Sequence, residues 1–175
     1  MKTGWMVIPA LIVPAPAFAT QYLTVEQAQR AFFPSADRFE ARNLALSEAA
    51  LHDVDAARPA PVARSLPSSF VAHRSGAVLG YLYVDEVLGK QLYITYAVGV
   101  DTAGTVVGVE ILEYRETHGY EVRNPAWRAQ FAGHSAAVPP VFGANIKNIS
   151  GATLSSRHVT EGVARVLAIH ALSER

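Results

Sequence analysis

The stretch Lys90-Gln91-Leu92-Tyr93-Ile94-Thr95-Tyr96-Ala97-Val98-Gly99-Val100 decides the fold. Leu92, Ile94, Tyr96, Val98 and Val100 fall on one side of it, and Tyr93, Thr95 and Ala97 on the other. A period of two belongs to a β-strand, whose successive side chains point to opposite faces. Residues 77–85, rich in Leu, Tyr and Val, predict the strand before it, with a turn over 86–89. After it, Asp101-Thr102-Ala103-Gly104 reads as a hairpin loop, and 105–114 as the next strand, with Val107, Val109 and Ile111 on one face. Three strands in direct succession form an antiparallel meander. A Rossmann arrangement would need alternating β–α–β units and a G-x-G-x-x-G between strand and helix, and the sequence has neither.

Helices flank the meander in sequence, so the expected class is α+β. Thr24, with Gln27 three residues on and Pro34 as a stop, has capping-box logic and predicts a helix over 24–33. A second helix is expected over 46–56. Pro59, Pro61 and Pro67 then mark a linker. Beyond the strands, Asn124 as cap, Pro125 at the first helical position and Gly133 past the end describe a short helix. Trp127 and Phe131 share its face and read as core anchors. Val159, Val163, Val166, Leu167 and Ile169 recur at helical spacing and predict an amphipathic C-terminal helix, with Ser155 and Ser156 as capping types at its start.

Composition excludes several chemistries. Formal net charge is zero over 175 residues, so nothing favours nucleic acid as a partner. With no cysteine, thiolate catalysis, cysteine-ligated iron–sulfur clusters and C-x-x-C-H haem attachment are all ruled out. His118, His134, His158 and His170 are scattered and no H-E-x-x-H occurs, so no metal site is expected. Ser156 and His158 lie two apart on a helix, where side chains do not face each other, and no G-x-S-x-G elbow exists; no catalytic residue is assigned. Residues 1–19 read as a cleavable signal peptide: Lys2, an apolar run over 5–13, and the small-x-small site Ala17-Phe18-Ala19. The mature chain then begins near Thr20 in the periplasm. Residues 20–70 read as a helical extension and linker, and 71–175 as the functional domain.

Two polar segments carry the chemistry. Ser150-Gly151-Ala152-Thr153 places a hydroxyl on a small-residue turn before the C-terminal helix. The first turn of a helix has unpaired N–H groups and partial positive charge, which suits an anion. The residues alone fit either a plain helix cap or a phosphate site. Glu116-Thr117-His118-Gly119 follows the last strand. Gly119 permits a tight turn, Glu116 and Thr117 offer hydrogen bonds to the polar edge of a heterocycle, and His118 or Tyr120 offers a face for stacking. A polar loop at a strand end is the plainer reading.

Ser150-Gly151-Ala152-Thr153 resembles the flavinylation motif of the FMN-binding domain family, and the E-T-x-G core of 116–119 resembles a loop of the same family. The family includes the flavin-carrying components of the sodium-pumping NADH:quinone reductase and of the Rnf complex. The resemblance covers about residues 75–172. It implies that Thr153 carries FMN through a phosphoester installed by a flavin transferase, with Ser150, Gly151 and Ala152 forming the turn and Glu116, Thr117, His118 and Gly119 lying beside the flavin ring. The family's motif often begins with an acidic residue six positions before the Thr, where this chain has Lys147. The resemblance further implies a periplasmic electron carrier serving a membrane haem, quinone or ferric-reductase-like protein. A flavin-dependent reductase with its own substrate, and a cofactor-free binding or regulatory module, are the alternatives.

Overall fold

The computed structural model describes residues 20–174, so the expected signal peptide lies outside the described residues. The fold is α+β. Six antiparallel strands form one sheet in the order β1-β6-β5-β4-β3-β2, with β1 Thr20–Gln21, β2 Arg38–Arg42, β3 Ser68–Arg74, β4 Ala77–Leu88, β5 Tyr93–Asp101 and β6 Val106–Tyr114. The helices are α1 (Val25–Phe32), α2 (Glu48–Ala57), α3 (Pro125–Arg128) and α4 (Thr153–Ser173). The β4–β6 meander is the expected one, but β1, β2 and β3 carry no clear alternation and are not apparent from sequence. The segment read as a helical extension supplies both edge strands of the sheet.

Both faces of the sheet are covered. Ile94, Tyr96 and Val98 meet Val159, Val163, Val166 and Leu167 of α4, together with Trp127, Phe131 and Ile146. Leu82, Ala97 and Leu112 meet Ala28 and Phe32 of α1 on the opposite face. The capping box of α1 forms as expected: Gln27 N–H donates to Thr24 Oγ1 at 3.2 Å, and Thr24 N–H to Gln27 Oε1 at 2.8 Å. Asn124 likewise caps α3 by accepting from Ala126 N–H at 2.9 Å.

Four expectations are corrected. β4 runs through Glu86 and Val87 to Leu88, so the turn falls at 89–92 instead of 86–89. Val107 is exposed, whereas Val106 is buried with Val109 and Ile111. The cause is a bulge: Val100 pairs with Val106 and Gly99 with Gly108, leaving Val107 as the extra residue. A second irregularity, between the pairs Tyr96–Ile111 and Thr95–Glu113, leaves Leu112 as the extra residue facing α1 and returns Tyr114 to the α4 side. α4 begins at Thr153, so Ser155 and Ser156 are buried inside its first turn and do not cap it. Finally, α4 is enclosed and not amphipathic. Arg165 on its outer side is fully buried, donating from Nε to Asp55 of α2 at 2.7 Å and from Nη2 to the Ser65 carbonyl at 2.6 Å.

Glycines set how closely the layers approach. Gly99 and Gly108 are register partners on β5 and β6, and the Phe32 ring of α1 lies over both. A Cβ on Gly99 would stand 2.8 Å from Phe32 Cγ, and one on Gly108 would stand 2.9 Å from Phe32 Cε1. Gly162 opens α4 to Tyr96 in the same way, since a Cβ there would stand 2.4 Å from the Tyr96 hydroxyl. Overpacking of this kind costs about 1–3 kcal/mol. Gly99→Ala is therefore expected to lower the chemical-denaturation midpoint by a corresponding amount, and an unchanged midpoint would refute the close packing of α1.

His170, near the end of α4, is buried and bonded through Nδ1 to the Tyr83 hydroxyl at 2.8 Å. Burial holds it below its ordinary value of 6.5, with Glu174 opposing and Arg42 reinforcing the shift. The unfolded chain thus binds this proton more readily than the native one, so stability rises with pH across the window between the depressed native value and 6.5. Denaturation curves should weaken as pH falls below about 6.5, and His170→Gln should flatten that dependence.

Candidate functional site

The site lies where three chain segments converge at the start of α4. Ile149 carbonyl accepts from Ala152 N–H at 3.0 Å, and Gly151 adopts a φ of 85° that favours glycine. This turn delivers the chain into α4, whose first backbone bond runs from Ser156 N–H to the Ala152 carbonyl at 2.9 Å. The N–H groups of Thr153, Leu154 and Ser155 precede that bond and have no intrahelical acceptor. Residue 152 at the cap position is an alanine, and no side chain caps this end, whereas Thr24 and Ser47 cap α1 and α2. Thr153 is exposed at the first helical position.

The chain leading to the turn is fixed from below. Trp127 Nε1 donates to the Lys147 carbonyl at 2.8 Å, and Lys147 N–H donates to Gln130 Oε1 at 3.0 Å. Trp127 and Phe131 meet edge to face at 5.1 Å in the core, as expected of anchors. Within α4, the Ser156 hydroxyl donates to the Ala152 carbonyl at 2.9 Å and so stiffens the first turn.

The loop after β6 is stitched to that first turn by one side chain. The Tyr114 hydroxyl donates to the His118 carbonyl at 2.6 Å and lies 3.0 Å from Ser155 Oγ. A phenol has a single hydrogen, so with it given to the carbonyl, Ser155 is the donor in the second bond. Burial, first among several influences, raises the Tyr114 pKa and keeps the phenol protonated. Gly119 completes the junction. Its φ is 93°, and a Cβ there would stand 2.4 Å from the Tyr114 hydroxyl, 3.0 Å from Ser155 Oγ and 3.5 Å from Ala152 Cβ.

Between these walls lies a cleft of about 400 Å³ lined by Lys90 and Gln91, by Glu116, Thr117 and His118, and by residues 151–155. The structure thus brings Glu116, Thr117, His118, Gly151, Ala152 and Thr153 to one cleft, with Gly119 packed behind it against Ala152. Ser150 is exposed and does not line it. Lys90, Gln91, Leu154, Ser155 and the bridging Tyr114 were not singled out from sequence. The β4–β5 turn gave no motif, and Tyr114 read only as the end of a strand. A separate groove of about 340 Å³, between Phe142 and Arg157 farther along α4, holds none of the expected site residues.

Glu116 is held differently from the rest. Its Oε1 accepts N–H bonds from Gln91 at 2.5 Å and Leu92 at 3.0 Å. Burial pushes this carboxyl up, but the N–H groups of Leu92, Gln91 and Lys90, with the Lys90 charge, outweigh it and hold the pKa below the ordinary carboxylate value. The histidines disperse: His134 Nδ1 bonds the Val138 carbonyl, His158 Nδ1 the Leu88 carbonyl and His170 Nδ1 the Tyr83 hydroxyl. Among the described residues, no three His, Asp or Glu side chains converge to hold a metal ion, and no helix is long and apolar enough to cross a membrane.

Residues 89–168 match the FMN-binding domain family, a span that runs from the β4–β5 turn through both loops and most of α4. The family resemblance read from the two motifs is therefore met. The chain is also 27% identical over 113 residues to the G subunit of the ion-translocating oxidoreductase complex of Stutzerimonas stutzeri, an alignment that covers 58% of this chain and 50% of that protein. The chain spans about half the length of this curated relative.

Removing the Tyr114 hydroxyl tests the junction. Tyr114→Phe leaves the buried Ser155 hydroxyl and the His118 carbonyl each short of a partner, at a cost of about 1–3 kcal/mol. Chemical denaturation should show that loss, and amide exchange should rise at 117–119. Unchanged exchange there would mean the hydroxyl does not hold the loop.

Proposed function

We propose that this chain is a periplasmic flavoprotein that carries electrons through FMN joined to Thr153 by a phosphoester. The observation that carries the reading is the exposed Thr153 hydroxyl at an uncapped helix start, facing a cleft whose other wall is Thr117 and His118. The residues present suit the group. Unpaired first-turn N–H groups favour a phosphate, Gly151 and Ala152 leave the backbone accessible, and a cleft of about 400 Å³ can take a flavin-sized ligand. The match of residues 89–168 to the FMN-binding domain family supports the same cofactor.

When bound, the flavin supplies one- and two-electron chemistry, and the protein supplies position and electrostatics. Gly151 and Ala152 admit the phosphate, Thr153 Oγ is the tether, and Thr117 and His118 flank the ring. Glu116, His118 and Glu121 are also acid/base candidates for a reductase. Glu116 commits its Oε1 to backbone N–H groups, which favours a carrier over an enzyme that turns over its own substrate. Export through residues 1–19 gives the tether its purpose, because a freely dissociating flavin would be lost by dilution outside the cytoplasm. Maturation then requires a flavin transferase. The electron partner is a membrane haem, quinone or ferric-reductase-like protein, a reading supported by the relative's place in an ion-translocating oxidoreductase complex.

Intact mass and ultraviolet-excited fluorescence after denaturation test the tether. Protein made with a flavin transferase should gain the mass of one FMN less one water and remain fluorescent when unfolded. Thr153→Ala should lose both signals while keeping the native denaturation midpoint. Wild-type protein from such a host with no adduct would sink the covalent reading.

A further inference from the structure

The β4–β5 turn forms one wall of the cleft, yet nothing in its own sequence makes it rigid. Gly89 N–H donates to the Leu92 carbonyl at 2.7 Å, and the N–H groups of Gln91 and Leu92 point at Glu116. Glu116 lies 25 residues from Gln91, so this closure joins two loops that are distant in sequence. Gly89 is fitted to it: a Cβ there would stand 2.7 Å from Glu116 Oε1 and 3.1 Å from the Leu92 carbonyl oxygen. Glu116 is half-buried, and its N–H partners sit on the exposed residues Gln91 and Leu92. A carboxylate accepting several N–H bonds forms stronger hydrogen bonds than a neutral acceptor. Flanking the turn, Arg115 binds Glu113 and donates from Nη1 to the Tyr93 carbonyl at 3.0 Å, which holds the first residue of β5 on the same side.

We infer that Glu116 is a positioning residue: it clamps the 89–92 turn in place as a wall of the flavin cleft and thereby sets Lys90 and Gln91 over the bound group. This rests on the flavin reading above and changes one part of it. Glu116 acts on the flavin through the turn that its Oε1 holds. Lys90 is the one lysine or arginine lining the cleft and makes no ion pair among the described residues. The clamp keeps that charge at the mouth, where an anionic flavin would meet it.

Two measurements on the flavinylated full-length chain separate the possibilities. Amide exchange reads the clamp directly: Glu116→Ala should raise exchange at Gln91 and Leu92 at least tenfold, and Glu116→Gln, which keeps an acceptor oxygen, should lie between it and wild type. Acrylamide quenching of flavin fluorescence reads the wall. The quenching constant should rise about threefold in Glu116→Ala, less in Glu116→Gln, with the Thr153 adduct intact by mass. Faster exchange with wild-type quenching would overturn the role at the flavin and leave only a structural turn. Unchanged exchange would overturn the clamp itself. Absence of flavin from the wild-type protein would instead overturn the reading on which the inference rests.

Discussion

The site depends on one hydroxyl. Tyr114 closes β6, and its phenol reaches both the His118 carbonyl and the Ser155 side chain. One belongs to the loop that leaves the sheet and the other to the first turn of α4. Without a shared partner, the carbonyl and the serine would each need water, and the loops could part. Gly119 is the steric counterpart of this bond, because only a residue without a Cβ lets the loop sit against Tyr114, Ser155 and Ala152 at once. An E-T-x-G segment and an S-G-A-T turn thus meet because a strand-end tyrosine and a left-handed glycine leave them little other arrangement.

The sheet makes that junction rigid by being buried on both faces. Tyr96 and Val98 pack under α4, while Ala97 between them packs under α1. Such a sheet needs small residues where a helix crosses closely, and Gly99, Gly108 and Gly162 supply them. The β6 bulges reconcile the two faces: one turns Val107 outward, and the other, at Leu112, brings Tyr114 to the α4 side. With α2 and the 58–67 loop packed on its outer side through Arg165, α4 is held around most of its circumference. Its first turn is therefore presented from a fixed element, although Thr153 itself is exposed.

Much of this was legible because local chemistry and tertiary structure agree. β5 alternates by two and is a strand; Thr24 and Gln27 form the box their spacing implies; Asn124 and Pro125 open a helix. The signal failed where tertiary partners decide. β2 reads Arg-Phe-Glu-Ala-Arg and is a strand because β3 lies beside it. Val107 fits the alternation of β6 yet faces outward, since a bulge cannot be seen in one strand alone. Ser155 and Ser156 look like caps, but the helix starts at Thr153 and both hydroxyls turn inward to bonds that sequence cannot reveal. In the cleft, most residues of the two motifs stand beside residues that no motif names, as Tyr114 and Lys90 illustrate.

Lys147 shows how the geometry bears on the departure from the family's pattern. Both its backbone groups are engaged, the carbonyl by the Trp127 indole and the N–H by the Gln130 amide. Those partners come from α3 and the 3-10 turn Ala129–Phe131 that follows it, anchored by Phe131 in the core, so the path of the chain into the Ser150–Thr153 turn is set without using the residue-147 side chain. Placing lysine where the family often carries an acid therefore changes charge and not the course of the chain. The cleft-lining Lys90 makes the approach to Thr153 more cationic, whereas the exposed Lys147 does not line the cleft. Such a surface favours an anionic incoming group, while any step that relies on a carboxylate at this position must draw it from elsewhere.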